Sequence, residues 1–483
     1  MIGAARVATE HFIANRRVAS SRTFEVRSPL DGAFLGSFAA GGSDEAGQAV
    51  GAAEAAFPAW AALGAQGRGV YLRRLADLIE KNVELLALVE TTNNGSLLES
   101  GRLRVMKRSA HNIRFFCEMA ETLRGTQWDT EAANASNRVK YDPAGVTALI
   151  TPWNAPLMLA TWKVGPALAA GNTVVLKPAE WTPLTASMLA DFALEAGLPA
   201  GVLNVVQGIG EEAGAALVAD PRVKRISFTG STGTARLIGA AAARNLTPVS
   251  FELGGKSPFI VFADSDLDLA VQNAIGQYDN AGQVCLAGTR LLVHAPICEE
   301  FIQRMQREAP RIRLGDPRDP QTQVGPLITT EHLQRVDGFV QRAIRDGARL
   351  VYGGRLSPNL GGLYYEPTLF ADIPPGAEIL KQEVFGPVLT IQSFRDETEA
   401  LRLANDTEYG LAATVFTRDQ AKAQRVADSL VAGTVWINCF FVRDLAAPFG
   451  GSRHSGIGRE GGHWSFDFYC DVKNVVHRKG TFV

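Results

Sequence analysis

Between residues 141 and 252, short apolar stretches alternate with amphipathic ones. The pattern predicts strands at 146–150, 173–178, 202–206 and 225–230, joined by helices of about 10–15 residues. Strands read as continuous apolar runs when helices cover both faces of a parallel sheet. Few other folds accommodate this alternation, so the sequence predicts an α/β protein with a doubly wound parallel sheet.

A second region with the same alternation extends from Glu252 to about Gly450. Its apolar stretches predict strands and its amphipathic segments predict helices, so we expect a second parallel sheet. With 483 residues, the chain is long enough for about three domains. The tail FDFYCDVKNVVHRK (466–479) alternates along its length, which predicts an exposed strand that requires a partner.

Charge and cysteine content argue against several classes of protein. The 48 basic and 50 acidic residues leave a net charge of −2, which does not favour general attraction to nucleic acid or anionic membranes. Five cysteines without a CxxC pair argue against a disulfide framework and a structural zinc site, so we expect no bound metal and a cytoplasmic location. The apolar stretch 144–176 is interrupted by prolines and by Lys163, which predicts buried strands and a helix rather than a membrane span.

Two glycine-containing loops each lie between a predicted strand and a predicted helix. GSTG (230–233) places glycines and the hydroxyl of Ser231 at a helix N-terminus, where free N–H groups can bind phosphate. The loop 208–214 has its last glycine one position later than the dinucleotide fingerprint GxGxxG. Each loop by itself is equally consistent with an ordinary turn of an α/β fold.

The segment KPAE (177–180) follows a predicted parallel strand. An acidic side chain at the end of such a strand accepts hydrogen bonds from ribose hydroxyls, and its charge repels a 2′-phosphate. Glu180 therefore favours NAD over NADP. The alternative for Lys177 and Glu180 is a solvated ion pair on the surface.

Three polar residues have the chemistry of a nucleophilic site. Cys285 lies in NAGQVCLAGTR (280–290) and is a nucleophile if its pKa is lowered or a base lies nearby. Glu252 precedes a double glycine, and a buried carboxylate with a raised pKa can act as a general base. Asn154, between two prolines, can donate to an oxyanion. The alternatives are a buried apolar cysteine and an asparagine that stabilises a turn.

Taken together and in this order, seven motifs resemble the aldehyde dehydrogenase superfamily over nearly the whole chain. They are TPWNAP (151–156), KPAE (177–180), FTGSTG (228–233), FELGGKSP (251–258), GQVCLAG (282–288), EVFGP (383–387) and PFGG (448–451). The resemblance implies two doubly wound parallel-sheet domains and a small β arm that forms a homodimer or homotetramer. It implies an NAD-binding domain in residues 1–122 and 143–252, a catalytic domain in 253–450, and an arm in 123–142 and 465–483.

The resemblance also implies roles for individual residues. Cys285 resembles the nucleophile, Glu252 the general base, and Asn154 the oxyanion donor together with the backbone N–H of Cys285. The implied reaction oxidises an aldehyde to a carboxylic acid through a thiohemiacetal and a thioester, with NAD as cofactor. The residues that resemble cofactor contacts are Lys177 and Glu180 at the adenosine ribose, Ser231 and Trp153 near the pyrophosphate, Glu383 at the nicotinamide ribose, Phe385 beside the nicotinamide, and Gly210, Gly214, Phe228, Gly230, Thr234, Leu253 and Gly254 elsewhere in the cofactor site.

Segments near the C-terminus are similar to the hydroxymuconate-semialdehyde dehydrogenase branch, whose substrates carry a carboxylate. They include NCFFVRDLAAPFGG (438–451), SGIGREGG (455–462) and DVKNV (471–475). A buried carboxylate is best paired with a guanidinium. Positions that match the branch therefore predict a substrate site of Arg108, Arg443, Trp162 and Phe449. Surface or interface salt bridges are the alternative for the two arginines.

Other substrates and other functions on the same fold remain open at this point. Val284 and Leu286, on either side of Cys285, differ from the residues expected in the hydroxymuconate branch, so neutral aromatic or aliphatic aldehydes are an alternative substrate class. CoA-acylating relatives typically lack the general-base glutamate, whereas Glu252 is present here. A non-catalytic binding protein would have no need to retain Cys285, Glu252 and Asn154 together.

Overall fold

A computed structural model of the chain describes residues 6–480. The strands are β1 His11–Ile13, β2 Arg16–Val18, β3 Thr23–Arg27, β4 Phe34–Ala39, β5 Gln127–Thr130, β6 Ala135–Pro143, β7 Val146–Ile150, β8 Thr173–Lys177, β9 Leu203–Val205, β10 Val223–Gly230, β11 Val249–Leu253, β12 Pro258–Val261, β13 Arg290–His294, β14 Arg349–Tyr352, β15 Thr368–Ala371, β16 Val388–Phe394, β17 Ala412–Phe416, β18 Thr434–Ile437, β19 Gly456–Ile457 and β20 Cys470–Arg478. The helices are α1 Ser43–Ala62, α2 Gly64–Lys81, α3 Val83–Asn94, α4 Leu98–Ser100, α5 Met106–Thr122, α6 Pro156–Ala170, α7 Leu184–Glu195, α8 Ala215–Ala219, α9 Thr232–Ala243, α10 Leu267–Ile275, α11 Ala295–Glu308, α12 Thr330–Arg345, α13 Glu378–Lys381, α14 Glu397–Asn405, α15 Gln420–Ser429 and α16 Gly462–Tyr469.

The first sheet has the order β19-β11-β10-β7-β8-β9-β1-β2. Its five central strands are parallel; four of them were predicted and β11 was not. The hairpin β1–β2 at one end and β19 at the other are added antiparallel. Alternate residues of β8 face opposite sides: Val174 and Leu176 pack with α2, α5 and α6, while Val175 packs with α1, α8 and α9. Helices therefore cover both faces, which is why these strands are apolar throughout.

The second sheet has the order β14-β15-β16-β13-β12-β17-β18. All its strands are parallel except the edge strand β14. Phe259 and Val261 of β12 pack with α10, α11 and α12, whereas Ile260 packs with α14 and α15 on the other face. The sequence expectation of two doubly wound sheets is confirmed.

A third, small sheet forms the arm, with the order β20-β6-β5. The partner of the tail strand is β6, and the two strands pair antiparallel from Cys470↔Pro143 to Arg478↔Ala135. The prediction of a strand over the whole of 466–479 is wrong in its first four residues, which belong to α16. Phe466 and Tyr469 are both buried in the core of the first sheet, and their spacing of three residues fits one face of a helix.

The apolar stretch 144–176 forms β7, α6 and β8, as predicted. Within residues 6–480, no helix combines the length and the apolar character needed to cross a membrane.

The motif residues lie at the carboxyl ends of neighbouring parallel strands. Lys177 ends β8, Gly230 ends β10 and Leu253 ends β11. In doubly wound sheets this edge is the one that binds ligands. The domain boundaries at residues 122, 143, 252 and 450 stay predictions, although the sheets on either side of residue 253 have separate apolar cores.

Candidate active site

The segment that carries Cys285 is an irregular turn held between α10 and β13. Asn280 and Ala281 have φ angles of 52° and 54°, in the left-handed region that L-residues rarely adopt. Leu286 is buried and anchors the segment, with Val284 and Cys285 packed beside it. The thiol therefore lies on a fixed loop rather than within a helix or strand.

Asn154 contacts this loop directly. Its side-chain Nδ2 donates to the backbone oxygen of Gln283 at 2.9 Å, and Nδ2 of Asn280 donates to the backbone oxygen of Asn154 at 3.2 Å. These reciprocal bonds bring TPWNAP against the residues that precede Cys285. Asn154 and Cys285 are 131 positions apart in the chain and adjacent in the fold.

Two glycines allow the loops around Glu252 and Cys285 to approach closely. A Cβ on Gly255 would lie 2.8 Å from the carbonyl oxygen of Cys285. A Cβ on Gly450 would lie 2.8 Å from Oε1 of Glu252. Both distances are shorter than real Cβ contacts, so only glycine fits at these positions. FELGGKSP, GQVCLAG and PFGG thus converge on one site.

Glu252 is buried, and neither of its carboxylate oxygens has a hydrogen-bond partner. Burial and the negative charge of Glu460 raise the pKa of Glu252 well above its usual range, although Lys163 and Arg443 oppose the shift. A carboxyl group in this state is available to take a proton from a bound molecule. It has the properties predicted for a general base.

Burial, together with the negative charges of Glu383 and Glu252, raises the pKa of Cys285 to about 12, and Arg443 opposes the shift. The thiol is therefore protonated at neutral pH before any ligand binds. Of the two conditions stated for a nucleophilic cysteine, a lowered pKa is not met in this state. Glu383 and Glu252, whose charges act on the thiol, are the candidates for the other condition, a nearby base.

The predicted cofactor residues surround the carboxyl edge of the first sheet. Lys177 is buried and its Nζ lies 3.0 Å from Oε2 of the half-exposed Glu180. Ser231 is exposed and caps α9, because its Oγ accepts from the backbone N–H of Thr234. A hydroxyl and free N–H groups at a helix N-terminus suit a phosphate, and a carboxylate beside the neighbouring strand suits a ribose. These residues therefore fit a dinucleotide.

The remaining cofactor candidates differ in how open they are. Gly210 and Gly214 bound a π-helical turn before α8, and no atom lies within 4 Å of a Cβ built on either glycine. Phe228 and Leu253 are buried in the core of the sheet, where the Phe228 ring packs against Phe251. The Phe228 ring packs directly against Gly230, because its ring atoms would collide with a Cβ on that glycine.

EVFGP reaches the same site from the second sheet. Oε1 of Glu383 accepts from the backbone N–H of Gly255 at 3.0 Å, and the carboxylate lies directly over Gly254. Burial raises the pKa of Glu383 to about 7. Phe385 packs edge-on against Trp153, with ring centres 5.3 Å apart. Glu383 thereby contacts the loop that follows Glu252, and Phe385 contacts the loop that carries Asn154.

Arg108 and Arg443 lie over the same indole. Their guanidinium carbons are 5.9 Å and 5.7 Å from the ring centre of Trp162, and Arg443 is also 3.7 Å from the ring centre of Phe449. Burial lowers the pKa of both arginines, and the charge of Arg443 contributes to a value of about 10 for Arg108. Within residues 6–480, neither guanidinium forms an ion pair with a carboxylate. A surface salt bridge is therefore not formed among these residues, while an interface salt bridge stays an alternative.

A family comparison identifies the class of protein to which this site belongs. The model of the aldehyde dehydrogenase family matches residues 17–475. The chain belongs to the aldehyde dehydrogenase family. The resemblance to the hydroxymuconate branch is also confirmed: this aldehyde dehydrogenase is 43% identical to 5-carboxymethyl-2-hydroxymuconate semialdehyde dehydrogenase of Escherichia coli over 462 residues, covering 94% of this chain and 98% of that one.

Two further proteins are similar to this aldehyde dehydrogenase over nearly its whole length. Phenylacetaldehyde dehydrogenase of Pseudomonas fluorescens is 43% identical to this aldehyde dehydrogenase over 469 residues, covering 95% of this chain and 93% of that one. A solved structure of betaine aldehyde dehydrogenase from Staphylococcus aureus in complex with NAD⁺ matches with a TM-score of 0.95 and 37% identity, covering 99% of this chain and 96% of that chain. Relatives of similar identity thus act on different aldehydes.

A buried polar cluster behind the catalytic candidates of this aldehyde dehydrogenase was not predicted. Lys163 Nζ lies 2.7 Å from Oε1 of Glu460 and 2.8 Å from Oγ of Ser227, and Oε2 of Glu460 accepts from the Trp162 indole at 2.6 Å. Lys163 is the only charged residue within the apolar stretch 144–176. A lysine in such a stretch requires a buried partner, so Lys163 was the feature of the sequence that indicated a buried polar cluster.

We expect Glu460→Ala to lower the free energy of unfolding by about 3–5 kcal/mol, because it leaves the ammonium of Lys163 buried and unpaired. Urea denaturation measures the change. The matched control is Asp77→Ala, which removes one of the two exposed carboxylates paired with Arg114 and is expected to lower the free energy of unfolding by less than about 1 kcal/mol. Equal losses in the two variants would show that the buried pair stabilises the fold no more than a surface pair does.

Proposed function

We propose that the protein catalyses NAD-dependent oxidation of a carboxylated aldehyde to the corresponding acid through Cys285. Family membership supports the reaction class, and the convergence of Cys285, Glu252 and Asn154 supports the assignment of roles. The paired guanidinium groups of Arg108 and Arg443 support the substrate class. The β arm, with Trp128, Val472 and Val476 exposed, supports assembly into a homodimer or homotetramer.

In this proposal Lys177 and Glu180 hold the adenosine ribose of the cofactor, Ser231 and the N-terminus of α9 hold the pyrophosphate, and Glu383 holds the nicotinamide ribose. The cofactor, when bound, supplies the acceptor for the hydride of the aldehyde carbon. The charge of Glu180 disfavours a 2′-phosphate, which is the basis for NAD rather than NADP.

The thiol of Cys285 loses its proton to a neighbouring carboxylate, and its sulfur forms a bond to the aldehyde carbon. Negative charge then develops on the aldehyde oxygen. One N–H of the Asn154 amide is bound to Gln283, which leaves the second N–H to donate to that oxygen together with the backbone N–H of Cys285. A fixed donor of this kind stabilises the transition state by about 3–4 kcal/mol.

Once the carbon has lost its hydride, it is a thioester on Cys285. Glu252 takes a proton from water, the water oxygen bonds to the thioester carbon, and the carbon–sulfur bond breaks to release the acid. Both carboxylate oxygens of Glu252 are free of protein partners, as an acceptor for water must be. This favours hydrolysis over transfer to CoA.

The observation that supports the substrate class is the pair of arginines, neither of which has a carboxylate partner among residues 6–480. Two partly buried positive charges repel each other, and an anion that pairs with both guanidinium groups relieves this repulsion. Arg443 lies close enough to Cys285 and Glu252 for their charges to raise its pKa against the effect of burial. A carboxylate bound there places the rest of the substrate beside the nucleophile.

We expect Arg443→Leu to lower kcat/KM for a carboxylated semialdehyde by about 10- to 150-fold, because a charge-assisted hydrogen bond contributes about 1.5–3 kcal/mol. For a neutral aldehyde of similar size we expect a change of less than about 3-fold. Steady-state NADH formation measures both. Equal losses on the two substrates would exclude carboxylate binding by Arg443. Arg102→Leu, on the turn before α5 and paired with Glu84, is the control for loss of a surface arginine.

Neutral aromatic aldehydes are the second candidate class. The rings of Phe440 and Phe449 pack in the same apolar cluster as Cys285 and offer a surface for an aromatic substrate. The identity of 43% to a phenylacetaldehyde dehydrogenase also fits this class. A higher kcat/KM for a neutral aromatic aldehyde than for any carboxylated semialdehyde would favour it.

A further inference from the structure

One turn of α12 binds three consecutive backbone carbonyls of EVFGP. His332 Nε2 lies 2.7 Å from the carbonyl oxygen of Phe385. Arg335 donates to the carbonyl oxygens of Val384 and Glu383. Since a carbonyl oxygen only accepts, His332 donates from Nε2 and its ring is in the tautomer with a proton on that atom. The loop is therefore fixed by its backbone, which leaves the side chains of Glu383 and Phe385 free for other contacts.

Phe385 requires this support because its backbone is strained. Its φ angle of 59° lies in the left-handed region, which is unfavourable by about 1–2 kcal/mol for a residue other than glycine. Such a conformation persists only when surrounding contacts hold it. The hydrogen bond from His332 is made to this same residue.

His332 also reaches the other loop of the site. Its ring packs edge-on against Trp153 with centres 5.3 Å apart, and Trp153 packs in the same way against Phe385. Trp153 is the neighbour of Asn154. One imidazole thus contacts both the loop that carries the oxyanion donor and the loop that carries Glu383.

The imidazole is suited to a fixed, uncharged contact. His332 is only 8% exposed, and burial together with the charge of Arg335 lowers its pKa to about 4. The ring remains neutral at physiological pH. His332 takes no part in the proposed reaction.

We infer that His332 is a positioning residue that holds Phe385 in place for the nicotinamide half of the cofactor and Trp153 in place for the pyrophosphate. The inference rests on the proposed assignment of Glu383 and Phe385 to that half of NAD. His332 does not touch the reacting atoms; it acts through the Phe385 carbonyl and the Trp153 ring. Loss of its hydrogen bond releases the strained backbone of Phe385 and weakens binding of the cofactor.

The test compares His332→Leu, which removes the donor, with His332→Gln, whose amide can restore it. Calorimetric titration of NAD⁺ into the enzyme without substrate is expected to give a Kd raised about 3- to 10-fold in His332→Leu and returned to within about 2-fold of the wild-type value in His332→Gln. The KM for NAD⁺ is expected to follow the Kd, with the KM for the aldehyde unchanged. His332→Met serves as the second apolar variant if His332→Leu does not fold.

His294→Leu is the matched control. His294 also bonds a backbone carbonyl through Nε2, that of Arg395 at 3.1 Å, and its ring stacks on Phe394 at the end of β13 in the second sheet. We expect its Kd for NAD⁺ to equal that of the wild type. An unchanged Kd in folded His332→Leu, or an equal rise in His332→Gln, would overturn the inference. Failure of the wild-type enzyme to bind NAD⁺ would instead overturn the proposed function.

Discussion

Cys285→Ala is expected to lower aldehyde-dependent NADH formation by on the order of 10⁴-fold or more. The variant has no atom that can form a covalent bond to the aldehyde carbon, and without that bond neither the thiohemiacetal nor the thioester exists. Because Cys285 lies on a loop held by Leu286 and by the bonds between Asn154 and Gln283, removal of one sulfur atom leaves the site otherwise intact. Initial rates of NADH formation measure the loss.

Cys439→Ala is the control for this experiment. Cys439 packs in the same apolar cluster as Cys285 and is likewise a free, partly exposed thiol. We expect the Cys439 variant to keep the wild-type rate within about 3-fold, as an isolated cysteine in an apolar cluster behaves as a small apolar residue. The reverse result, with Cys439 essential and Cys285 dispensable, would show that the assignment of the nucleophile to Cys285 is wrong.

Glu252→Gln is expected to lower the steady-state rate by about 10²- to 10⁴-fold while the first turnover still produces NADH. The amide keeps the shape of the side chain and cannot take a proton from water, so the thioester forms and then accumulates on Cys285. Rapid mixing is expected to show a burst of one NADH per active site followed by a slow phase, and mass spectrometry of the quenched enzyme is expected to find the acyl adduct.

The pH profile of hydrolysis provides the control for Glu252. A general base acts in its deprotonated form, and burial with the charge of Glu460 raises the pKa of Glu252 well above the usual carboxyl range. The rate of thioester hydrolysis in the wild type therefore rises with pH through this raised pKa and is constant above it. In Glu252→Gln this rise is expected to disappear. A Gln variant without a burst, or with the wild-type profile, would assign the base to another group.

The sequence predicted the positions of those site residues that come at or just after the end of a predicted strand. Lys177 and Gly230 were expected near strand ends and lie at the ends of β8 and β10, whereas β11, which ends at Leu253, was not predicted. Apolar periodicity determines where a strand ends, and the carboxyl edge of a parallel sheet determines where ligands bind. The tail was less predictable, since alternation in FDFY is compatible with a strand while the burial of Phe466 and Tyr469 requires a helix.

Contacts between loops that are distant in the chain could not be predicted from the sequence. Nothing near His332 indicates that its ring meets Trp153 and the Phe385 carbonyl, and nothing near Arg443 indicates that its guanidinium has no carboxylate partner among the described residues. The ionisation of Cys285 is a further example. Its pKa depends on burial and on Glu383 and Glu252, which come from two other motifs.

The two doubly wound sheets and most of their strand ends could be predicted from the sequence, because they depend on the spacing of neighbouring residues, which local periodicity specifies. The grouping of Cys285, Glu252 and Asn154 in one set of motifs came from the resemblance to the family. Which of the buried and partly buried charges are paired became visible in the packed structure alone. Lys163 meets Glu460 across 297 positions of sequence, whereas Arg108 and Arg443 share an indole without an anion. The energy of a buried charge depends on every group around it after packing, and that environment is assembled from segments whose order in the chain does not encode their distance in space.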